Sequence, residues 1–573
     1  MKKKNNIIIL TLGFILAFLP LGCTEIFEES DLNQAPEQEL DFDKVFTDYQ
    51  QYRQFLDYSY LYMPGHLGRL WNSMVAELSD EAEGLGVNTC SPVFNNGAWS
   101  GAQISYGTPQ GNARRELEQM WIDLYKGIRQ TNMAIAYIDF VKNFPSQEIY
   151  NRSLGEAHFI RAFLYFELTK RWGGVPIFDR PLELGVDELD ITRSSYETTI
   201  EFIVDDCDFA AGLLALEHPE SETGRATKGA ALALKSRALI YAARPLNNPE
   251  NDQTKWIAAA EAASEVIKLN HYSLDPDYVN LFFRPNPGTE IIMNRPRTKL
   301  NFEQGHIDNS NFWVRFIVPQ GYLGWMGTAV SHNFVNLYET ANGYPITNPA
   351  SGYNPDNPYV NRDPRLRMTV LYNDRFWYDR KTEFYIGGLD YGSSLVNPIG
   401  YTIAKFWPEA HQRYKGTSAY LNYIFFRYAE ILLNYAEAAN EAYGPDIAHP
   451  GSGITAREVT TQLRQRVGHV PIPIVTSANK EDMRERIINE RAVELSFEEH
   501  RWYDVLSWKK GVELFGNENP ILGMKITKNT NGSFNYEPYI YERRIFLPHM
   551  HRYPIPNSEI YKSKVLIQNP GWE

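Results

Sequence analysis

The amino-acid sequence predicts a mostly α-helical protein in which helical pairs form a scaffold and a long loop-rich insertion carries the binding surface. Three observations support this fold class. Apolar residues recur at helical spacing in segments on both sides of the chain's middle. Several of these segments are rich in alanine, which lets helices approach closely, as in helical-hairpin repeats. Between residues 271 and 420 the helical period gives way to Pro, Gly, Asn and aromatic residues.

The first predicted helices lie in the N-terminal half. In "MWIDLYKGIRQTNMAIAYID", Trp121, Leu124 and Ile128 fall on one helical face. The segment "GEAHFIRAFLYFELTKRWGGVPIF" shows the same period, and its Gly173–Gly174 pair predicts the end of that helix. A short strand-like run follows the glycines.

Alanine-rich helices follow in "RATKGAALALKSRALIYAA" and "TKWIAAAEAASEVIKLN". Far downstream, "FRYAEILLNYAEAANEAYG" places Tyr428, Leu432 and Tyr435 at helical spacing, and Gly444 predicts its end. These helices resemble tetratricopeptide units, although no copy matches the full consensus. We therefore predict stacked helical pairs that the insertion interrupts.

The insertion at 271–420 is the region where we expect ligand contacts. Long irregular loops on a rigid scaffold are where binding residues usually lie. Aromatic residues make up 14% of the chain, with 36 Tyr and 12 Trp. Such a surplus fits either a Tyr-rich helical core or a recognition surface. Its concentration in these loops favours recognition.

Composition excludes some classes of protein. The chain of 573 residues is 43% hydrophobic and 22% charged, which is typical of a globular protein. Its formal net charge is -14, and no block of Lys or Arg follows the first few residues. The electrostatic footprint of a nucleic-acid-binding protein is therefore absent.

The N-terminus predicts export. Lys2 to Lys4 precede an apolar run that is shorter than the roughly 20 residues needed to span a bilayer. We predict a signal peptide over 1–22. Gly22–Cys23 resembles a bacterial lipobox, in which Cys23 is acylated, although Pro20 stands where Leu is usual. The alternative is an ordinary signal peptide followed by a cysteine.

Residues 23–45 are predicted to form a lipidated N-terminus and tether. Multiple acyl chains anchor a protein firmly, whereas one chain alone is marginal. The start "CTEIFEESD" resembles the surface-export signal of lipoproteins in Bacteroidetes. We therefore expect a lipid-anchored protein of the outer membrane that faces the extracellular side.

Two further cysteines, Cys90 and Cys207, allow two interpretations. An exported chain can join them in one disulfide. Two isolated buried thiols are the alternative, and the sequence leaves both open.

The stretch "NERAVELSFEEHRWYDVLSW", residues 489–508, raises the question of catalysis. Read as one helix, it places Glu494, Glu498 and Arg501 on one stripe, with Glu498 and Arg501 positioned to pair. A glycosidase needs two carboxylates roughly 5–10 Å apart around a substrate groove. Catalytic residues usually come from different strand ends or loops. We therefore predict a neutralised structural network and no enzymatic activity.

The same stretch resembles the C-terminal signature of the SusD/RagB family. His500 stands where Gly is usual, and Ser507 where Arg is common. The residues that match the family pattern are Glu490, Arg491, Glu494, Leu495, Glu499, Arg501, Asp504 and Trp508. Other family-like stretches occur in order, at 78–84, 125–132, 161–177, 361–366, 426–441 and the tail "YPIPNSEI…IQNPGW".

This resemblance implies a SusD-like fold with an N-terminal region over 46–270 and a C-terminal region over 271–573. It implies a non-catalytic protein that captures oligosaccharide or polysaccharide and delivers it to a SusC-like TonB-dependent transporter. A peptide ligand is implied as the alternative, as in RagB-like members. Family binding residues vary, so no motif transfers them.

Within that resemblance, the ligand surface comes from an N-terminal loop and from loops of the C-terminal half. Sugar rings stack their C–H faces on aromatic side chains, while hydroxyl groups need polar partners. By location, the ligand-binding candidates are Trp99 with Asn95 and Asn96, then Trp313, Tyr322, Trp325 and Trp377.

Other motifs give little evidence for a metal, cofactor or catalytic site. "HMH" at 549–551 offers two imidazoles but no third ligand nearby. Walker A, Rossmann, EF-hand and G-x-S-x-G patterns do not occur. We expect no cofactor and no catalytic metal, while a structural calcium ion held by loop Asp and Asn stays open. The rival functions are a surface glycoside hydrolase and a helical scaffold that recruits protein partners.

Overall fold

The computed structural model describes residues 42–65, 70, 73–85, 90–101, 105–106, 114–183, 186, 191–284, 288–296, 314, 316–392, 399–407 and 421–573. The predicted signal peptide, Cys23, most of the tether and Trp313 lie outside these residues. In the part that is described, no helix is both long enough and apolar enough to cross a membrane.

Helices dominate the structure, as predicted. Those of the N-terminal half are α1 Phe42–Thr47, α2 Tyr49–Ser59, α3 Ser91–Asn95, α4 Glu116–Tyr137, α5 Gln147–Trp172, α6 Tyr196–Leu213, α7 Lys228–Ala243 and α8 Gln253–Lys268. Those of the C-terminal half are α9 His332–Leu337, α10 Pro364–Thr369, α11 Tyr428–Tyr443, α12 Ala456–Arg466, α13 Lys480–Glu494, α14 His500–Ser507, α15 Gly511–Phe515 and α16 Asn557–Lys562.

The described strands pair two by two, and most of them are short. They are β1 Ala82–Gly84, β2 Ser105–Tyr106, β3 Arg114–Arg115, β4 Ile291–Arg295, β5 Thr328–Val330, β6 Val370–Leu371, β7 Phe376–Trp377, β8 Arg380–Lys381, β9 Thr402–Ile403, β10 Tyr423–Arg427, β11 Ile521–Lys528 and β12 Phe534–Glu542. All described pairs are antiparallel: β1–β5, β2–β3, β4–β10, β6–β9, β7–β8 and β11–β12.

Consecutive helices α4 to α8 pack against one another, and α11 continues the stack by packing on α8. Helices α12 and α13 then pack on α11. A helix from the C-terminal half therefore completes a scaffold that begins in the N-terminal half. The main hydrophobic core accordingly runs from Phe46 to Ile555 and draws on both sequence regions.

Local signals explain where the scaffold helices begin and end. Ser146, Ser195 and Thr227 each accept a hydrogen bond from a backbone N–H of the first turn of α5, α6 and α7. Gly173, with φ of 79°, and Gly444, with φ of 99°, end α5 and α11 as predicted.

A second hydrophobic core lies under the loop-rich insertion. It includes Phe334, Trp377 and Trp407 and is separate from the main core. The β1–β5 pair joins the N-terminal region to this insertion, with Ala82 opposite Val330. The helices and strands described within the insertion are short, but its described residues form a packed unit.

The stretch 489–508 is not one helix, which corrects the sequence interpretation. Helix α13 ends at Glu494, and α14 begins at His500. Between them Phe497 and Glu499 adopt positive φ angles of 60° and 68°. Because side chains rarely adopt this left-handed conformation, the break carries local strain. It turns the charged side chains of the two halves towards different partners.

Candidate functional site

The carboxylates of α13 lie in a buried charge network. Arg427 on β10 donates to Glu494 at 2.7 Å, and Arg466, the last residue of α12, donates to the same carboxylate at 2.6 Å. Arg365 on α10 bridges Glu490 and Glu494, at 2.5 and 3.1 Å. All five side chains are almost fully shielded from solvent. The network therefore ties α10, α12, α13 and β10 together.

The next carboxylate, Glu498, does not pair with Arg501 as the sequence suggested. It accepts hydrogen bonds from Arg427 and from Lys405, each at 2.7 Å. Arg501 instead binds Asp80 through two hydrogen bonds of 2.8 Å. The break between α13 and α14 places the two side chains on different neighbours, so the predicted pair is wrong.

The electrostatics of the network oppose acid–base catalysis there. Burial disfavours ionisation of Glu494, but Arg466, Arg427 and Arg365 outweigh it and hold its pKa well below the usual range. The same balance lowers the pKa of Glu498 to about 2. A general acid needs a raised pKa and access to substrate, and these groups have neither. The predicted structural network is confirmed.

A second feature is an aromatic cluster in the insertion, formed by Tyr322, Trp377, Tyr378 and Trp407. The Tyr322 and Trp407 ring centroids lie 5.1 Å apart, and those of Trp377 and Trp407 lie 5.5 Å apart. The Tyr322 hydroxyl donates to the Trp377 carbonyl at 3.0 Å. This cluster joins the 319–326 loop to the β7–β8 hairpin.

Charged groups support the same junction. Arg380 binds Asp390 through two hydrogen bonds of 2.7 and 2.8 Å, and its guanidinium lies 4.0 Å from the centre of the Tyr322 ring. Gly321 packs so closely on this pair that a Cβ there would collide with both side chains. The loop is thus held by an ion pair, a cation–π contact and close backbone packing.

The backbone of this junction is strained. Leu323, Met326 and Tyr378 have φ angles of 63°, 50° and 63°, and none of them is glycine. Such conformations cost of order 1–3 kcal/mol each and cluster at ligand-binding sites. Leu323, at the tip of this loop, is exposed to solvent.

Large apolar side chains are exposed on these loops, and we name them the exposed loop surface: Leu323, Trp325, Phe376 and Leu389. The Trp325 side chain is 42% exposed, and its ring contacts the edge of Phe316 at 5.3 Å between centroids. Exposed aromatic side chains on a rigid support are typical of recognition surfaces. This surface is the candidate ligand site.

The structure brings three of the predicted residues together but gives them different roles. Trp325 is exposed, whereas Tyr322 and Trp377 are buried in the aromatic cluster. Tyr322 and Trp377 therefore support the loops, and they do not present a ring face to solvent. The indole N–H of Trp377 is buried and has no hydrogen-bond partner among the described residues.

The N-terminal candidates lie elsewhere. Trp99 is 2% exposed and packs between Trp572 and Tyr553, with centroids 4.9 and 5.1 Å away. Asn95 is buried and donates to the Glu77 carbonyl. Asn96 is exposed, but its side-chain oxygen accepts the backbone N–H of Ala98. Burial leaves Trp99 no free ring face, so we omit it from the candidate surface.

The remaining sequence questions concern cysteines and histidines. Cys90 and Cys207 are both buried and no disulfide joins them, which corresponds to the second of the two interpretations. His551 is buried, accepts the Gly511 N–H and faces the Pro548 carbonyl. The other imidazole of the motif, His549, packs on Trp572. Among the described residues, no three His, Cys, Asp or Glu side chains cluster as metal ligands.

Sequence reasoning missed several residues of this region. Arg380 and Asp390 carry no motif, because an ion pair across a loop has no characteristic spacing. Leu323 and Phe376 are common residues whose exposure depends on the turn conformation. Trp407 is one of 12 tryptophans, and only its packing distinguishes it.

Family comparisons agree with this architecture. The model of the SusD family matches residues 289–572. A second model, described as starch-binding and associating with the outer membrane, matches residues 73–240.

Individual proteins similar to this chain agree with the family models. A SusD-like protein of Formosa agariphila is 27% identical over 425 residues, which are 70% of this chain and 74% of the relative. A SusD-like protein of Bacteroides fragilis has a solved structure with a TM-score of 0.75 and 26% identity, and the match covers 94% of this chain and all of the other.

A SusD-like carbohydrate-binding protein of Bacteroides fragilis shares the fold, with a TM-score of 0.72. It is 22% identical, and the match covers 91% of this chain and all of the other. The chain belongs to the SusD/RagB family, and the predicted mostly α-helical SusD-like fold is confirmed.

Proposed function

We propose that this protein is a non-catalytic glycan-binding lipoprotein that captures oligosaccharide or polysaccharide at the cell surface. In this proposal it delivers the glycan to a SusC-like TonB-dependent transporter. The observation that carries the proposal is the exposed loop surface around Trp325, held on a rigid aromatic and ionic support. Family membership supports it, because the family descriptions include starch binding in association with the outer membrane.

The chemistry of capture follows from the side chains. A sugar ring has an apolar C–H face, which gains free energy when it leaves water against the Trp325 indole. Leu323 and Leu389 extend the apolar area on the adjoining loops. Since aromatic stacking tolerates different sugars, specificity would come from polar groups around the ring.

The rigid support is as important as the exposed ring. A loop that is ordered before binding loses less conformational entropy when ligand arrives. The Arg380–Asp390 pair, the Tyr322 hydroxyl and the buried Trp377 all hold the loops in one conformation. This is the role we propose for Tyr322 and Trp377 in place of direct contact.

Catalysis has no support in the charged C-terminal stretch. Its carboxylates are buried and paired with arginines, so they cannot flank a substrate. Capture without cleavage fits a protein whose ligand is passed on to a partner. Acylation at Cys23 would hold the protein at the membrane beside that partner.

The test is affinity electrophoresis of the soluble form from Thr24 onward, in gels that contain plant, host or microbial polysaccharides. Wild-type protein is expected to be retarded by one glycan class. Trp325→Ala is expected to weaken that retardation by roughly 10- to 100-fold in Kd, as for an aromatic hot spot.

The matched control is Tyr561→Ala, since Tyr561 is an aromatic side chain that is 82% exposed on α16. This variant should be retarded like the wild type. Equal retardation of wild type, Trp325→Ala and Tyr561→Ala would contradict the proposed surface. Binding of peptides but not of any glycan would favour the RagB-like alternative.

A further inference from the structure

A cavity of about 300 Å³ lies inside the helical scaffold, on elements that do not contribute to the exposed loop surface. It is bounded by the end of α7 and the turn after it, the start of α8, the end of α11 and one face of α13. Trp508, just after α14, closes one wall. Its volume is at the lower end of the roughly 300–1,000 Å³ typical of small-molecule sites.

The walls are largely apolar. Trp256 and Trp508 line the cavity together with Ile487 and Ile488. The indole N–H groups are already satisfied, because Trp256 donates to Asn251 at 2.9 Å and Trp508 donates to Glu437 at 2.7 Å. The two rings therefore offer apolar surface and no spare donor.

The charges around the cavity are neutralised within the protein. Glu437 binds Arg244 through hydrogen bonds of 2.6 and 2.7 Å. Glu441 binds Arg484 through hydrogen bonds of 2.5 and 2.7 Å, and Lys510 pairs with Glu485 at 2.9 Å. An ionic ligand would find its possible counter-charges already paired. The cavity therefore suits a neutral ligand.

One polar group of the lining lacks a partner. The Asn440 side-chain nitrogen donates to the Lys480 carbonyl at 2.9 Å and to Glu441 at 3.2 Å, which sets the orientation of the amide. Its side-chain oxygen is buried and accepts no hydrogen bond from the described residues. Buried polar atoms without partners are uncommon in folded proteins and call for an explanation. A hydroxyl donor from a ligand would supply one.

We propose that this cavity binds one neutral sugar residue, independently of the exposed loop surface. The indole and isoleucine walls would contact the apolar face of a sugar ring. Asn440 would accept a hydrogen bond from one of its hydroxyl groups. Because the charged side chains of the described lining are already paired, acidic and amino sugars are not the preferred ligands.

The test is isothermal titration of the soluble protein with glucose, galactose, mannose and xylose, with galacturonate and glucosamine as charged comparisons. We expect saturable binding of at least one neutral sugar. Asn440→Leu should weaken that binding roughly tenfold, which corresponds to one lost hydrogen bond. Ile488→Phe, which fills the cavity, should abolish it and serves as a second variant if Asn440→Leu does not fold.

Trp325→Ala separates this site from the proposed capture surface. It should leave monosaccharide binding unchanged while it weakens polysaccharide retention. The proposal is overturned if none of the four neutral sugars binds, or if Ile488→Phe binds them as the wild type does. It is also overturned if Trp325→Ala abolishes the monosaccharide signal, because that signal would then come from the loops.

Discussion

Arg427 and Glu494 form the central contact of the buried charge network, with 2.7 Å between the guanidinium Nη1 and the carboxylate Oε1. The second guanidinium nitrogen of Arg427 donates to the Glu494 carbonyl, also at 2.7 Å. One arginine therefore holds the carboxylate and the backbone at the end of α13. Strand β10, which carries Arg427, is thereby fixed to α13, the helix that ends just before the non-helical residues 495–499.

Arg427→Ala is expected to lower the free energy of unfolding by about 3–5 kcal/mol. Removal of one partner leaves the buried Glu494 and Glu498 without their shared cation, which is costly. Urea denaturation followed by circular dichroism measures this loss. Lys525→Ala is the control, because Lys525 and Glu537 form an exposed pair on the β11–β12 hairpin. A similar, small effect in both variants would contradict the structural role of the network.

Glu81 is predicted to make stability depend on pH. Burial raises its pKa to about 8 in the folded protein, while the unfolded value is about 4.3. A group with a raised folded pKa contributes stability that is present below the unfolded pKa and lost as pH rises through the folded pKa. Wild-type stability should therefore fall between pH 4.5 and 8, by roughly 1.4 kcal/mol for each pH unit. Glu81→Gln lacks this titration, so its stability relative to wild type should rise over the same range.

Glu494→Gln is the matched comparison, since its pKa is held well below the usual value. This variant should be less stable than wild type by the same amount at pH 5 and at pH 8, because wild-type Glu494 stays ionised in both states. Denaturation curves at both pH values check the two variants. A pH-independent difference for Glu81→Gln would show that Glu81 is already ionised at pH 5.

Cys90 and Cys207 are predicted to remain reduced in the exported protein. Both thiols are buried, Cys90 donates to the Leu70 carbonyl, and burial raises the pKa of the Cys207 thiol. Iodoacetamide should therefore add two labels to the soluble form in denaturant without reductant. In the native state it should label both sites slowly, because thiolate is the reactive form. No labelling in denaturant would indicate a disulfide.

Cys23→Ala is expected to move the full-length protein from the membrane fraction to the soluble fraction. Cys23 lies outside the described residues, so this prediction depends on the lipobox-like sequence alone. Fractionation of expressing cells and labelling with radioactive palmitate test it. Cys90→Ser is the control and should stay in the membrane fraction. Membrane retention of Cys23→Ala would show that another segment anchors the chain.

The sequence was sufficient for the scaffold because its helices carry local signals. Gly173 and Gly444 end α5 and α11 where the sequence predicted, since glycine adopts the positive φ that these ends require. The helices themselves were predicted from apolar residues at helical spacing, which is also a local signal. Each of these signals acts within a few residues along the chain.

Other features depend on contacts between distant residues, and no local pattern reveals them. Arg501 binds Asp80, which is 421 residues away in sequence. Phe497 and Glu499 break the charged stretch in a conformation that neither residue type favours. For this reason the pairing of Glu498 with Arg501 predicted from the sequence was wrong. The sequence also predicted one helix over 489–508, where the structure has two.

In the candidate site, too, some features follow from local sequence and others depend on contacts between distant residues. The loop-rich composition of 271–420 located the region, and Trp325 is exposed there. The sequence did not distinguish Trp325 from Tyr322 and Trp377, because burial depends on how the loops pack. Trp99 lies in the core for the same reason, in contact with Trp572 near the other end of the chain.

The most direct test of the central proposal measures capture and cleavage in the same mixtures. The soluble form is incubated with each polysaccharide of the panel, retention is read by affinity electrophoresis, and released reducing sugar is assayed in parallel. The proposed function predicts retention by one glycan class with no released sugar. Release of sugar by the pure protein, or no retention by any glycan, would contradict non-catalytic glycan capture.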